Sequence, residues 1–391
     1  MPRFTPFPAL RYRADLLADA IAPPYDVLSD SDVDDLRAKS PQNITRVDVP
    51  RESDGDAPYE LAAQILQNWM TAGVMERDEV PSFTIYRLHF VDAAGADRNI
   101  VGVLGGLEVV DEGAGGVLPH ERVTPKASSD RLELTRATNA NLSPVWGLSL
   151  AVGLSELLSA PGEQLGAVAV DGVEHVVERV ADPERVRAIA EAIASDDVLI
   201  ADGHHRYGVA RMFRDEMRND GDAGAAEDTL AFLSELTVDQ LSVEAIHRLY
   251  SEVSAETLTA ALAEHFVIES APDPSTALLA EMEERGALVL IGTEGSSWLT
   301  PKPGAFDGVR SIDGAWLEAA LDGVDHSVTY QHGVDLVAEA VDSGRATAAV
   351  LIRPVSVSEI ERTAREGALM PPKSTFFTPK LRTGFVVREL G

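Results

Sequence analysis

The chain contains no cysteine. Disulfides, thiolate metal sites and cysteine nucleophiles are thereby excluded, and any chemistry falls to His, Asp, Glu, Lys, Arg or hydroxyl groups. Basic residues are scarce as well: 33 Lys and Arg stand against 64 Asp and Glu, a formal net charge of −31. A field of that sign repels nucleic acid and anionic membranes, so non-specific binding to either is disfavoured. No apolar run approaches the length of a membrane-spanning helix, and the opening MPRFTPFPALRYR lacks the continuous apolar stretch of a signal peptide. A soluble cytoplasmic protein is expected. Two familiar phosphate loops are missing too, since there is neither a GxxxxGK(S/T) pattern nor a GxGxxG after a strand.

What is present is a chain of 391 residues, 45% hydrophobic, long enough for two domains or for one with a large insertion. Residues 29–40 read as a short helix capped by Ser29 or Ser31 and stopped by Pro41. Residues 59–73 read as a longer one, with Leu61, Ile65, Leu66, Trp69 and Met70 on one face and Gly73 ending it. Strand-like segments at 83–91 and 100–110 flank a turn-rich stretch and predict a hairpin or meander; a second β pair is expected over 166–180, then a helix over 182–194. Residues 219–228, NDGDAGAAED, are small and acidic without apolar anchors and read as a linker. The last third alternates helices near 255–265, 275–285, 334–343 and 357–368 with strands near 266–269, 287–291 and 348–352. The whole is a mixed α/β (α+β) pattern, divided as an N-terminal region over 1–117, a motif-bearing core over 118–222 and a C-terminal α/β region over 223–391.

The richest segment is VLIADGHHRYGVA, residues 198–210. An apolar β-type run stops at Asp202-Gly203, and an amphipathic pattern with Tyr207, Ala210, Phe213 and Met217 begins two histidines later. This is the syntax of a strand-turn-helix anion site, in which the N–H groups of the first helical turn face a phosphate, glycine lets it come close, and Arg206 adds a clamp. His204 and His205 fit donation to a phosphate; as metal ligands with His120 and Asp202 they are poorly spaced, because adjacent positions rarely face one ion and there is no HExxH. The competing structural reading makes Asp202 a helix N-cap and has the histidines bond nearby carbonyls.

Three further segments carry functional groups. Residues 118–149 have little apolar periodicity and read as a long functional loop bearing His120, Glu121, Lys126, Arg131, Arg136, Asn139 and Asn141. Glu121 suits a general base if burial poises it; its bland alternative is a surface pair with Arg122. Residues 367–387 hold Lys373, Lys380 and Arg382 and no acid, with Ser374 and Thr375 adding hydroxyls. Phosphate or substrate contact competes there with a terminal strand anchored by Phe376, Phe377 and Phe385 whose lysines face solvent. Asp26, in APPYDV, is a substrate or metal ligand, or else an Asx-turn residue.

APPYDV, LPHERVTPKASSDRLELTRATNANLSP, ADGHHRY and MPPKSTFFTPKL, in this order, resemble the signatures of the domain-of-unknown-function 1015 family over essentially the whole chain. A PHE element followed by a GHHR turn is also similar to the ParB/sulfiredoxin-like superfamily, and within it to free-serine kinases. That resemblance implies a ParB/sulfiredoxin-like core with an added N-terminal region, an insertion over 154–194 and a C-terminal region returning a basic loop to the site. It implies Glu121, with His120 beside it, as catalytic base, and Asp202, Gly203, His204, His205 and Arg206 as the phosphate cradle. Asp26, Lys126, Arg131, Arg136, Asn141, Lys373, Ser374, Thr375 and Lys380 remain candidates for substrate or phosphate contact. The implied reaction is phosphoryl transfer from ATP or ADP, with Mg²⁺ on the phosphates, to a small hydroxylated metabolite such as L-serine. A ParB-like nucleotide-binding regulatory protein and a His-based metal-dependent hydrolase are the alternatives.

Overall fold

Contacts divide the chain into two units: residues 1–242 with 364–367 and 379–391, and residues 243–363 with 368–378. In the computed structural model, residues 1–92, 95–119, 128–221 and 223–391 are described. The expected boundaries at residues 117 and 222 fall inside the first unit.

The first unit is built on one large sheet. Its strands are β1 (Phe4–Thr5), β2 (Phe83–Val91), β3 (Asp97–Glu108), β4 (Val117–Leu118), β5 (Val145–Ser149), β6 (Glu163–Val170), β7 (Val173–Val180), β8 (Val198–Asp202) and β9 (Asp228–Glu235). They lie in the order β4-β8-β5-β9-β3-β2-β7-β6, with β1 against the end of β3. The predicted hairpins are present: β2 pairs antiparallel with β3 from Thr84↔Leu104 to Val91↔Asp97. β6 and β7 turn through Asp171 and Gly172, both at positive φ (52° and 74°), the backbone that a two-residue hairpin turn requires. Two pairs run parallel, β8 with β4 and β9 with β5, so the site-bearing strand sits within a mixed sheet. Its side chains Val198 and Ile200 enter a core with Val145, Leu233, Ile189, Ile193 and Tyr207.

The unit also holds helices α1 (Asp30–Lys39), α2 (Thr45–Asp48), α3 (Pro58–Thr71), α4 (Ser128–Thr138), α5 (Leu154–Ser159), α6 (Pro183–Ile193) and α7 (His204–Asn219), besides a single turn at Leu17–Ala20. Ser29 caps α1 in a reciprocal box with Asp32, and Asp182 caps α6. On α3, Leu66 and Trp69 are buried as expected, but Leu61 is 39% exposed and belongs to the rim.

Two expectations fail here for identifiable reasons. Much of the polar stretch 118–149 is regular structure, since it holds α4 and β5. Its helix escapes periodicity because only Leu132 and Leu134 of its length are apolar and buried, two positions apart instead of three or four. Residues 219–228 are no linker: Ala223 and Ala226 are buried against Leu132, Val209, Phe213 and Leu390, and Asp228 opens the central strand β9. Small residues anchor this segment where a search for large apolar ones finds nothing.

The second unit has a six-stranded antiparallel sheet of β10 (His247–Ser251), β11 (Phe266–Ser270), β12 (Leu288–Gly292), β13 (Gly295–Pro301), β14 (Ser327–Gln331) and β15 (Ala348–Leu351), ordered β11-β13-β12-β15-β10-β14. Leu288 and Leu290 enter one core with Leu258, Leu262 and Leu317; Val289 and Ile291 enter the opposite one with Leu278, Met282, Val337 and Val341. Both faces are covered by helices, which explains why β12 reads as an unbroken apolar run. No helix among the described residues is long and apolar enough to cross a membrane.

Candidate functional site

Strand β8 delivers Asp202 to the edge of the first unit's core. A register shift between Ile200 and Asp202 sets Asp202 opposite Trp146 of β5, and the chain then turns through Gly203, which has φ 89° and ψ 28°. Glycine is favoured at this point on two counts. Its φ is left-handed, and a Cβ would lie 3.1 Å from the Cζ and Nε of Arg206, which folds back over the turn. Helix α7 follows for 16 residues, its own ladder starting with Tyr207 N–H to Gly203 O. His204, His205 and Arg206 thus occupy the first turn, where an α-helix presents the positive end of its dipole.

Asp202 is not the N-cap. Gly203 holds that position and no side chain caps the helix. The Asp202 carboxylate serves two cations instead, accepting from Arg206 Nη2 at 2.9 Å and from Lys380 Nζ at 3.0 Å. Burial alone would push this carboxyl up, but Lys380 and Arg206 beside it hold it well below the usual carboxylate range. Arg206 also donates to the Pro144 carbonyl, and its Nη2 lies 4.0 Å from Asp26 Oδ2. Its Nε is buried and has no hydrogen-bond partner among the described residues.

Lys380 comes from the C-terminal segment, and the core fixes that segment in place. The Tyr86 hydroxyl accepts the Arg382 backbone N–H at 3.3 Å and is hydrogen-bonded to His175 Nδ1 at 2.7 Å. Arg382 pairs with Asp171 of the β6–β7 turn. Burial lowers His175 to a pKa of about 4, with Arg382 adding to the effect, so it is neutral near pH 7.

Behind Arg206 lies a second group. Asp48, 3% exposed, accepts Arg131 Nη1 at 3.3 Å and the Ser143 hydroxyl at 3.2 Å, and Ser143 is within 3.0 Å of the Thr383 hydroxyl. The Tyr25 ring lies 3.9 Å from the Arg131 guanidinium carbon. Burial pushes the Asp48 carboxyl up against the pull of Arg131 and Arg206. Tyr25, Asp48, Arg131, Asn141, Ser143 and Arg206 line a cavity of about 50 Å³.

Of the residues singled out from sequence, Asp26, Arg131, Asp202, Gly203, Arg206 and Lys380 therefore converge, with His204 and His205 on the same turn. Asn141 lines the cavity, but its side-chain oxygen accepts from Leu230 N–H and ties the local strand to β9. Arg136 sits on an exposed helix face and pairs with Glu133 and Glu216. Lys373, Ser374 and Thr375 belong to the second unit, where Arg248 donates to the Lys373 carbonyl and Ser374 to the Pro371 carbonyl. His120, Glu121 and Lys126 lie outside the described residues. Sequence reasoning passed over Tyr25, Asp48, Ser143 and Thr383; Tyr25 stands beside Asp26 in APPYDV, Ser143 lies in the NANLSP motif and Thr383 lies in the basic segment 367–387, whereas nothing in the surroundings of Asp48 marks it.

The family described as "Protein of unknown function (DUF1015)" matches residues 4–320, and the chain belongs to it. No curated protein matches the sequence. Among solved structures, a free serine kinase mutant in complex with AMP is 14% identical, with 69% of this chain and 89% of that one covered and a TM-score of 0.39. A conserved hypothetical protein from Pyrococcus furiosus is 13% identical over 70% of this chain and 92% of that one, TM-score 0.38. SbnI with a C-terminal truncation, from Staphylococcus aureus, is 13% identical over 73% and 87%, TM-score 0.38.

Proposed function

We propose that this member of the family is a nucleotide-dependent phosphotransferase that moves a phosphoryl group from ATP or ADP to the hydroxyl of a small metabolite, free L-serine being the first acceptor to test. One observation carries the reading. A left-handed glycine opens a 16-residue helix, and two cations, Arg206 at 2.9 Å and Lys380 at 3.0 Å, meet on one carboxylate at its mouth. Phosphoryl transfer asks a protein chiefly for positioning and charge neutralisation, and this turn supplies both. A phosphate entering at the helix start would share Arg206 and Lys380 with Asp202, which holds the two side chains oriented until it arrives.

In the proposed step the acceptor O–H gives its proton to a base as its oxygen bonds to the terminal phosphorus. The bond from that phosphorus to the rest of the nucleotide breaks, releasing ADP from ATP or AMP from ADP. The resemblance of the PHE element and the GHHR turn to free-serine kinases assigns the base to Glu121. Mg²⁺ finds no cage of three or more carboxylate or imidazole ligands among the described residues, and Asp202 gives its two oxygens to Lys380 and Arg206.

The test incubates the full chain with ATP or ADP, Mg²⁺ and a panel of hydroxylated metabolites and follows the phosphorylated product. Turnover that disappears in Glu121→Gln supports the reading. No turnover with any acceptor, or activity left intact by Glu121→Gln, overturns it. Nucleotide binding without turnover would favour a regulatory binding protein.

A further inference from the structure

The cavity behind Arg206 has a size and a lining that the phosphate turn does not account for. About 50 Å³ is room for a few water-sized groups, the scale of one carboxylate. Two guanidinium groups from different helices face it: Arg131 from α4 and Arg206 from α7. Arg131 spends Nε on Asp130 and Nη1 on Asp48, and its plane is fixed by the Tyr25 ring 3.9 Å away. Arg206 spends its two Nη groups on Pro144 and Asp202 and keeps a buried Nε without a partner among the described residues. The rest of the wall is the Asp48 carboxylate, the Ser143 hydroxyl, Asn141 and apolar side chains that include Leu134, Leu142 and Val209.

We propose that this cavity is a subsite for one small oxyanion group, the carboxylate of the acceptor molecule, held between Arg131 and Arg206. The inference rests on the phosphotransferase reading only for the word acceptor; the subsite itself is a matter of binding. It restricts the acceptor class to hydroxy acids and hydroxy amino acids, and disfavours polyols and amino alcohols. Asp48 shares the wall with the two arginines and accepts from Ser143, and Asp26, 4.0 Å from Arg206, pushes the Asp48 carboxyl further up. An anion therefore enters beside a carboxylate, and uptake of one proton at Asp48 is the expected companion of binding.

The experiment is titration calorimetry of the full chain without nucleotide, using pairs that differ only in the oxyanion: L-serine against L-serinamide, D-glycerate against glycerol, and inorganic phosphate alone. The carboxylate member of each pair binds at least tenfold more tightly, and the preference collapses in Arg131→Met but survives in the neighbouring surface variant Arg136→Met. Because Arg131 also braces Asp48, circular dichroism checks that the variant is folded, and the wild-type ligand pairs decide the matter independently of any variant. Equal binding within a pair, or no binding of any oxyanion probe, overturns the subsite. Phosphate binding that depends on Arg131 while neither carboxylate binds reassigns the pocket to a phosphoryl group and overturns the carboxylate assignment. Carboxylate-selective binding without turnover leaves the subsite standing and sinks the kinase reading; turnover of serinamide as fast as serine does the reverse.

Discussion

Replacing Gly203 by alanine would place a side chain at φ 89° and drive a Cβ to within 3.1 Å of the Arg206 guanidinium. The backbone strain alone is worth about 1–3 kcal/mol. Gly203→Ala should therefore lower stability by that amount and also displace Arg206, weakening nucleotide binding by an order of magnitude. Gly208, five residues further along α7 with nothing within 4 Å of its missing Cβ, is the internal control. Gly208→Ala should stabilise the protein by about 0.5–1 kcal/mol, because alanine loses less backbone freedom in a helix than glycine does. Denaturant midpoints on the two variants read out opposite signs. Equal effects would remove the argument that position 203 is special.

Asp202 makes a second prediction, with a definite sign. Its folded carboxyl is held below the ordinary value of 3.8 by Lys380 and Arg206, despite its burial. Such a group adds stability that is fully present above the ordinary value and is lost as the pH falls through and below it. Asp202→Asn should thus be less stable than wild type at pH 7, and the gap should narrow once the pH drops below about 4. A gap that stays constant through acid titration would show that the carboxylate is not paired in the way described.

At the scale of elements, α7 owes its position to a residue far from the site. Arg214 is 1% exposed, donates to the Val109 carbonyl, and reaches Asp215 at 2.9 Å and Asp111 at 2.5 Å. Arg214→Met leaves a buried carbonyl without its donor, at a cost of about 1–3 kcal/mol. Because the same helix presents Arg206, nucleotide affinity should fall together with the denaturant midpoint; a midpoint shift with unchanged affinity would uncouple the two. The elements themselves were legible wherever one physical signal dominated. Residues 255–265 form the expected helix because Leu258 and Leu262 recur at helical spacing, and the 198–202 strand is read from its continuous apolar run. α4 was illegible because its two buried leucines stand two positions apart, off the helical spacing, and β13 because GSSWLTP alternates only weakly. The site was half legible. Asp202, Gly203 and Arg206 are contiguous and announce themselves, whereas Asp48, Ser143 and Thr383 meet only through folding, with 95 and 240 positions between successive partners.

For the whole molecule the governing number is the net charge of −31. A nucleotide is itself an anion, and the long-range field of this protein opposes its approach. The site does little to offset that at a distance, since Arg131, Arg206 and Lys380 are matched by Asp48, Asp26 and Asp202 and attraction is confined to contact range. Salt separates the two ranges. The screening length shrinks from about 30 Å at 0.01 M to about 8 Å at 0.15 M, which cancels the global repulsion while leaving contacts of about 3 Å nearly untouched. The association rate of ADP should consequently rise as ionic strength increases over this interval, and the dissociation rate should change little. Stopped-flow mixing with a fluorescent ADP analogue measures both. A site whose local field dominates gives the opposite trend, an association rate that falls with salt, and that result would mean the cations at the turn are not neutralised by their carboxylates before the nucleotide arrives.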